Sequence, residues 1–232
     1  MSIKMKNYDI IYFDIDDTLF DFTISEQEAF KKVFSKYNLL NNLKLYEKSY
    51  REINKVLWED LERGKISLVE LGSERFRRLF LEHELEMDAV VFNQDYLKFL
   101  GQQTYLVQGA EKVIEALSHK RLAIITNGYT DVQTSRINHS FLEGTFEHII
   151  ISESTGFQKP QAEIFDYAFN KLQITEKSNV LMVGDSLTSD IQGGINYGID
   201  TCWFNPKYKE NTTNLKPTYE INQLERLLQI VK

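Results

Sequence analysis

Short apolar runs that end in polar residues recur at Tyr8–Phe13, Leu122–Ile125, His148–Ile151, Val180–Val183 and Thr201–Phe204. A run that is apolar at every position suits a strand buried on both faces, which is the condition of a parallel sheet. Amphipathic stretches lie between the later runs. Ala110–Leu117 is one; Gln161–Leu172 is another, with Ile164, Phe165, Ala168, Phe169 and Leu172 on one helical face. Alternating strands and helices joined by right-handed crossovers predict an α/β fold, a parallel sheet covered by helices on both faces.

The alternation stops between residues 21 and 100, where no convincing strand appears. Ser25-Glu26-Gln27-Glu28 fits a capping box ahead of Ala29, Phe30, Val33, Phe34 and Tyr37. Tyr46, Tyr50, Ile53 and Leu57 recur at helical spacing, and Phe92, Tyr96, Phe99 and Leu100 mark a last helix. Ser67-Leu68-Val69-Glu70 fits a second capping box, with Ile66 and Leu71 placed for a hydrophobic staple. The expected organisation is a core of residues 1–20 and 101–232 with an all-helical cap domain, residues 21–100, inserted after the first strand. Hinges are expected near Leu19–Asp21 and Leu100–Thr104, with Gly101 a flexible point.

Composition narrows the function classes. A chain of 232 residues with 42% hydrophobic residues can bury a sizeable core. Net charge of −7 argues against a nucleic-acid partner. An anionic ligand then needs a local positive device such as a metal ion, a lysine or a helix N-terminus. No stretch approaches the length of a membrane span, and the early run Ile10–Phe13 is too short for a signal segment. The single cysteine, Cys202, lies in an apolar run and is expected to be buried and inert. A soluble cytoplasmic protein is expected, as a monomer or small homo-oligomer, since no long apolar stripe demands a partner.

Ligands of a parallel α/β sheet bind beyond the carboxyl ends of its strands. The first run delivers Asp14-Ile15-Asp16-Asp17-Thr18 there, the second Thr126-Asn127-Gly128, and the fourth Gly184-Asp185 with Asp190 close behind. Lys159-Pro160 follows the third, with Pro160 suited to a first helical position. In an extended tip Asp14 and Asp16 would point the same way and repel unless a cation sat between them. Asp185 would add a third oxygen donor, and such a set suits magnesium. Thr126, Asn127 and Gly128 can offer a hydroxyl and backbone N–H groups to phosphate oxygens. Lys159 can neutralise aspartates and phosphate together, with Asp190 to orient it. Read singly, each signal has an ordinary explanation: an aspartate-rich turn, a strand-to-helix loop, a surface lysine. Gly193-Gly194 reads as close helix–sheet packing.

In chain order, Asp14-Ile15-Asp16-Asp17-Thr18-Leu19, Thr126-Asn127-Gly128, Lys159-Pro160 and Gly184-Asp185 with Asp190 resemble the four motifs of the haloacid dehalogenase-like hydrolase superfamily, across essentially the whole chain. The resemblance implies a Rossmann-like core and Mg²⁺-dependent phosphoryl transfer. It implies Asp14 as nucleophile and metal ligand, and Asp16 as general acid and base that binds the metal through its backbone carbonyl. Thr126 and Asn127 would bind the phosphoryl group, Lys159 would stabilise charge, and Asp185 would hold the metal. Dehalogenases of the superfamily lack the second carboxylate of the first motif, so Asp16 favours phosphoryl transfer, and mutases of the superfamily carry the same pair.

Leu19-Phe20-Asp21-Phe22 running into Ser25-Glu26-Gln27-Glu28-Ala29, the stretch from Leu57-Trp58 to Arg63-Gly64-Lys65-Ile66, and Gly184–Ile191 are similar to the bacterial noncanonical pyrimidine 5′-nucleotidases of that superfamily. This implies a pyrimidine nucleoside 5′-monophosphate as the small-molecule phosphomonoester substrate. A phosphosugar phosphatase or mutase, and a non-catalytic phosphate-ligand binding protein, are the competing readings. Specificity is expected in the cap, with Phe20 and Trp58 as stacking candidates and Arg75 as a donor, although aromatic residues at helical spacing are usually core. Phe30, Phe34, Tyr46 and Tyr50 are expected to be core.

Overall fold

A computed structural model describes residues 6–232. Strands β1 (Ile10–Phe13), β2 (Arg121–Thr126), β3 (His148–Ile151), β4 (Val180–Gly184), β5 (Asp200–Phe204) and β6 (Tyr219–Ile221) form an all-parallel sheet in the order β3-β2-β1-β4-β5-β6. The first five follow the apolar runs. β6 comes from a polar stretch at the sheet edge, where one buried residue, Ile221, is enough, so no apolar run announces it. Helices are α1 (Phe22–Lys36), α2 (Leu43–Glu62), α3 (Leu68–Glu82), α4 (Ala89–Leu100), α5 (Ala110–Ala116), α6 (Thr130–Asn138), α7 (Ser152–Thr155), α8 (Ala162–Lys171) and α9 (Gln192–Tyr197).

The chain divides into two compact units. One runs to Phe22 and resumes over Tyr105–Thr130 and Ile137–Lys232; the other comprises Thr23–Thr104 and Asp131–Arg136. The sheet unit owes its layers to the period-two side-chain alternation of its strands. Ile11, Phe13, Ile124 and Val183 face a cluster containing Val113 and Ile114 of α5. Their neighbours Tyr12, Ile125 and Met182 face the opposite cluster with Ile164, Phe165 and Phe169 of α8. Gly193 and Gly194 permit the close packing of α9. A Cβ on Gly193 would lie 2.7 Å from the Phe165 ring, and one on Gly194 2.5 Å from Thr201 Cγ2. Cys202 is buried, and burial pushes its thiol pKa up.

The helical unit has a core of stacked rings. Phe76 is fully buried, with ring centroids of Phe92, Tyr96 and Tyr50 at 4.8, 5.3 and 5.5 Å. Phe30, Phe34, Tyr46 and Tyr50 are buried, as expected. The capping box at Ser67 is present, its hydroxyl accepting from Glu70 N–H and the Glu70 carboxylate accepting from Ser67 N–H. The expected box at Ser25 is not. α1 starts at Phe22, so Ser25 lies inside the helix, fully buried, where the guanidinium of Arg136 approaches its hydroxyl at 3.4 Å. Arg136 also donates to the Gln103 carbonyl at 3.0 Å. Among the described residues, no helix is long and apolar enough to cross a membrane.

Candidate active site

The strand order places β1 and β4 side by side where the chain reverses its direction of winding, the position at which such sheets form a ligand crevice. Asp14 follows β1 and Asp185 follows β4. Asp14 N–H still donates to the Val183 carbonyl at 2.8 Å, which carries the ladder one residue beyond β1. The chain then coils. The Ile15 carbonyl accepts from the N–H groups of Leu19 and Phe20, and Asp17 takes a left-handed φ of 58°. Phe13 and Ile15 lie in the same hydrophobic cluster, so the strand's alternation runs on to the start of this turn. The carboxylates of Asp14, Asp185 and Asp190 cluster, with one oxygen of each within 4.8 Å of the others. Asp16 is half-buried in the same turn.

Lys159 joins the cluster. Its Nζ lies 2.6 Å from Asp14 Oδ1 and 2.7 Å from Asp190 Oδ1, and donates to the Ile125 carbonyl at 2.6 Å. An ammonium has three protons, so these acceptors saturate a side chain with no solvent exposure. Burial alone would lower the Lys159 pKa, but Asp14 and Asp190 outweigh it and hold the group above its ordinary value. Burial pushes the Asp14 carboxyl well above the carboxylate range; Lys159 pulls it back, while Asp190 and Asp185 add to the push. Thr18 Oγ1 donates to Asp14 Oδ2 at 3.4 Å.

Asp190 sits in a π-helical turn, Leu187–Ile191, a form often found at functional positions. Its Oδ2 accepts from Ser186 N–H at 3.0 Å. Gly184 makes room for it: a Cβ there would lie 2.2 Å from Asp190 Oδ2. Thus Asp190 is an anchor of Lys159, and Asp185 lies alongside the pair it makes with Asp14. Asp185 is pushed up to about 7 by burial, then by Asp190, with Lys209 pulling back. Three carboxylates against one buried ammonium leave excess negative charge among oxygen donors only, which fits a hard divalent cation.

The other candidate residues are placed as follows. The side chain of Asn127 brackets Lys159 rather than standing open for phosphate. Its Oδ1 accepts from Lys159 N–H and its Nδ2 donates to the Lys159 carbonyl, both at 2.9 Å. Gly128 N–H donates to Ser152 Oγ at 3.1 Å. Thr126 ends β2 and is buried. Pro160 precedes α8 instead of opening it. Phe20 is fully buried in the sheet unit's hydrophobic cluster, its backbone bridged to Asp16 and Leu106, so it cannot stack on a ligand. Trp58 packs partly buried against Leu57, Leu61 and Leu71 within the helical unit. Arg75 is buried in that unit, with Nη2 2.7 Å from Asn93 Oδ1 and its guanidinium over the Tyr96 ring. Sequence reasoning missed Lys209, whose Nζ reaches Asp185 Oδ2 at 3.4 Å, and Trp203, whose indole N–H donates to the Asp185 carbonyl at 2.9 Å. No local pattern flags either one.

The sequence matches the haloacid dehalogenase-like hydrolase family over residues 8–198. The chain belongs to that family. It is a hydrolase of the haloacid dehalogenase-like kind. It is 39% identical over 223 residues to pyrimidine 5′-nucleotidase PynA of Streptococcus pneumoniae, covering 95% of this chain and 94% of that one. It is 32% identical over 225 residues to pyrimidine 5′-nucleotidase YjjG of Escherichia coli, covering 97% and 98%. A magnesium-bound crystal structure of YfnB from Bacillus subtilis, described as revealing interdomain movement, superposes with a TM-score of 0.89 at 40% identity, over 96% of this chain and 97% of that one.

Proposed function

We propose that this hydrolase is a Mg²⁺-dependent phosphatase that acts through an aspartyl-phosphate on Asp14, with pyrimidine nucleoside 5′-monophosphates as substrates in the cytoplasm. The observation that carries the reading is the buried Lys159 ammonium held between Asp14 and Asp190, with Asp185 alongside. An ammonium fixed there is already in place to meet charge on a transferring phosphoryl group, and it needs no reorganisation during reaction.

Asp14 and Asp185 would hold the cation, together with the backbone carbonyl of Asp16. When bound, the metal supplies positive charge that offsets the crowded carboxylates and the phosphoryl oxygens. Asp14 attacks phosphorus through a carboxylate oxygen; the bond to the leaving oxygen breaks, and Asp16 gives that oxygen a proton. In the second step Asp16 takes a proton from water, water oxygen attacks phosphorus, and the bond to Asp14 breaks to release phosphate. Thr126 and the backbone N–H of Asn127 would hold phosphoryl oxygens. The helical unit would serve as the cap that excludes water from the first step and admits it to the second. The motion named for YfnB and the names of PynA and YjjG support this role and this substrate class.

The test is phosphate release from a panel of nucleoside monophosphates and sugar phosphates with Mg²⁺, with Asp14→Asn as control. Pyrimidine nucleotides should be preferred, and Asp14→Asn should lower kcat by about 10⁴-fold or more while remaining folded. Good turnover of sugar phosphates without pyrimidine nucleotides would sink the nucleotidase reading.

A further inference from the structure

A second lysine is delivered to the carboxylate cluster by the same device that holds the first. The chain after β5 turns at Asn205, which is 3% exposed. Its Oδ1 accepts from Lys209 N–H at 2.8 Å and its Nδ2 donates to the Lys209 carbonyl at 2.9 Å. Asn127 brackets Lys159 with the same pair of bonds. Asn205 is itself fixed, through its N–H to the Ile221 carbonyl at 2.7 Å and its Nδ2 to Glu220 Oε1 at 2.8 Å. Tyr208 adopts a φ of 50° to complete the turn, a conformation that L residues seldom take. A buried amide and a left-handed residue are thus spent on aiming one surface lysine.

The two lysines differ in how firmly they are held. Lys159 is sealed between two carboxylates at 2.6 and 2.7 Å. The Lys209 side chain is 55% exposed and meets a single carboxylate, Asp185, at 3.4 Å. A contact that long, with water available to the ammonium, exchanges readily.

We propose that Lys209 is an exchangeable counter-ion of Asp185, occupying its carboxylate when the cation site is empty, giving way when a divalent cation binds, and so setting the affinity of the site for that cation. The proposal rests on the assignment of Asp14 and Asp185 as cation ligands. A positive charge beside the site competes for the same carboxylate and repels the incoming ion, so its removal tightens binding, more at low salt than at high.

The experiment is calorimetric titration of the full-length, substrate-free protein with MgCl₂. Lys209→Met should lower the Kd for magnesium by about three- to tenfold, a difference that shrinks as NaCl is raised. Lys209→Arg, which keeps the charge, should stay within about twofold of the parent. Unchanged or weaker magnesium binding by Lys209→Met overturns the proposal, as does equal tightening by Lys209→Arg. Asp185→Asn separates the two levels of argument. If it binds magnesium as tightly as the parent, the ligand assignment fails and the Lys209 proposal with it. If it binds weakly while Lys209→Met matches the parent, only the Lys209 proposal fails.

Discussion

A lysine ammonium taken wholly out of water must have its charge and all its protons answered, or burial would strip it of the proton. Lys159 meets that condition through Asp14, Asp190 and a β2 carbonyl, and Gly184 is what lets Asp190 come close enough. Gly184→Ala should therefore displace the Asp190 carboxylate, with a cost of about 1–3 kcal/mol in urea-unfolding stability and a fall in kcat larger than any change in KM. Asp185 yields a pH prediction. Its pKa of about 7 lies above the ordinary carboxylate value, so from about pH 4 to about pH 7 the folded metal-free protein holds a proton that the unfolded chain has released. That contribution favours folding at the acid end of the window and is lost as pH rises through 7. Magnesium competes with the same proton. Its affinity should weaken below about pH 7, by up to about tenfold per unit, and calorimetry in buffers of different ionisation enthalpy should register proton release on binding.

Elements here are tuned to two kinds of interior. The strands carry β-branched and aromatic residues on both faces because both faces are covered, and β1 and β4, each paired on both sides, are buried at every position. The helices of the second unit bury one stripe each; the stripes meet as aromatic rings around Phe76 and as aliphatic chains at Leu57, Leu61 and Leu71. Rings fill space that smaller side chains cannot collapse into. Phe76→Ala should thus cost about 3–5 kcal/mol by equilibrium urea denaturation, a large part of a domain's usual 5–15 kcal/mol. The failure of the Ser25 capping box belongs to this scale as well. The motif was satisfied as a string, but Phe22 extended α1 upstream and the Arg136 guanidinium claimed the Ser25 hydroxyl. A cap is a local signal, and it lapses once the helix begins upstream of it.

At the scale of the whole molecule, a cation that binds the folded chain stabilises it by mass action. Magnesium at about 100 times its Kd should add about 2.7 kcal/mol, raising Tm by several degrees over a chelator-treated sample. Scanning calorimetry should find that shift in the parent and lose it in Asp185→Asn. The sheet architecture and its ligand edge were legible from sequence, because an all-parallel sheet needs doubly buried strands and these leave apolar runs in the chain. β6 left no such trace, since it is three residues long and only Ile221 is fully buried. The helical character of residues 21–100 was legible for the same reason, through periodicity.

The lysine and the acids were likewise legible from their order along the chain: Asp14 after β1, Lys159 before α8, Asp185 after β4. What side chains do to one another was decided only in three dimensions. Asp190 completes the carboxylate cluster, Asn127 holds a lysine backbone, Phe20 turns into the core, and Lys209 arrives at Asp185 from a loop with no motif. Periodicity and motif order record which face or strand end a residue occupies. Hydrogen bonds and ion pairs between distant segments depend on distances of a few tenths of an ångström, and only the folded chain sets those.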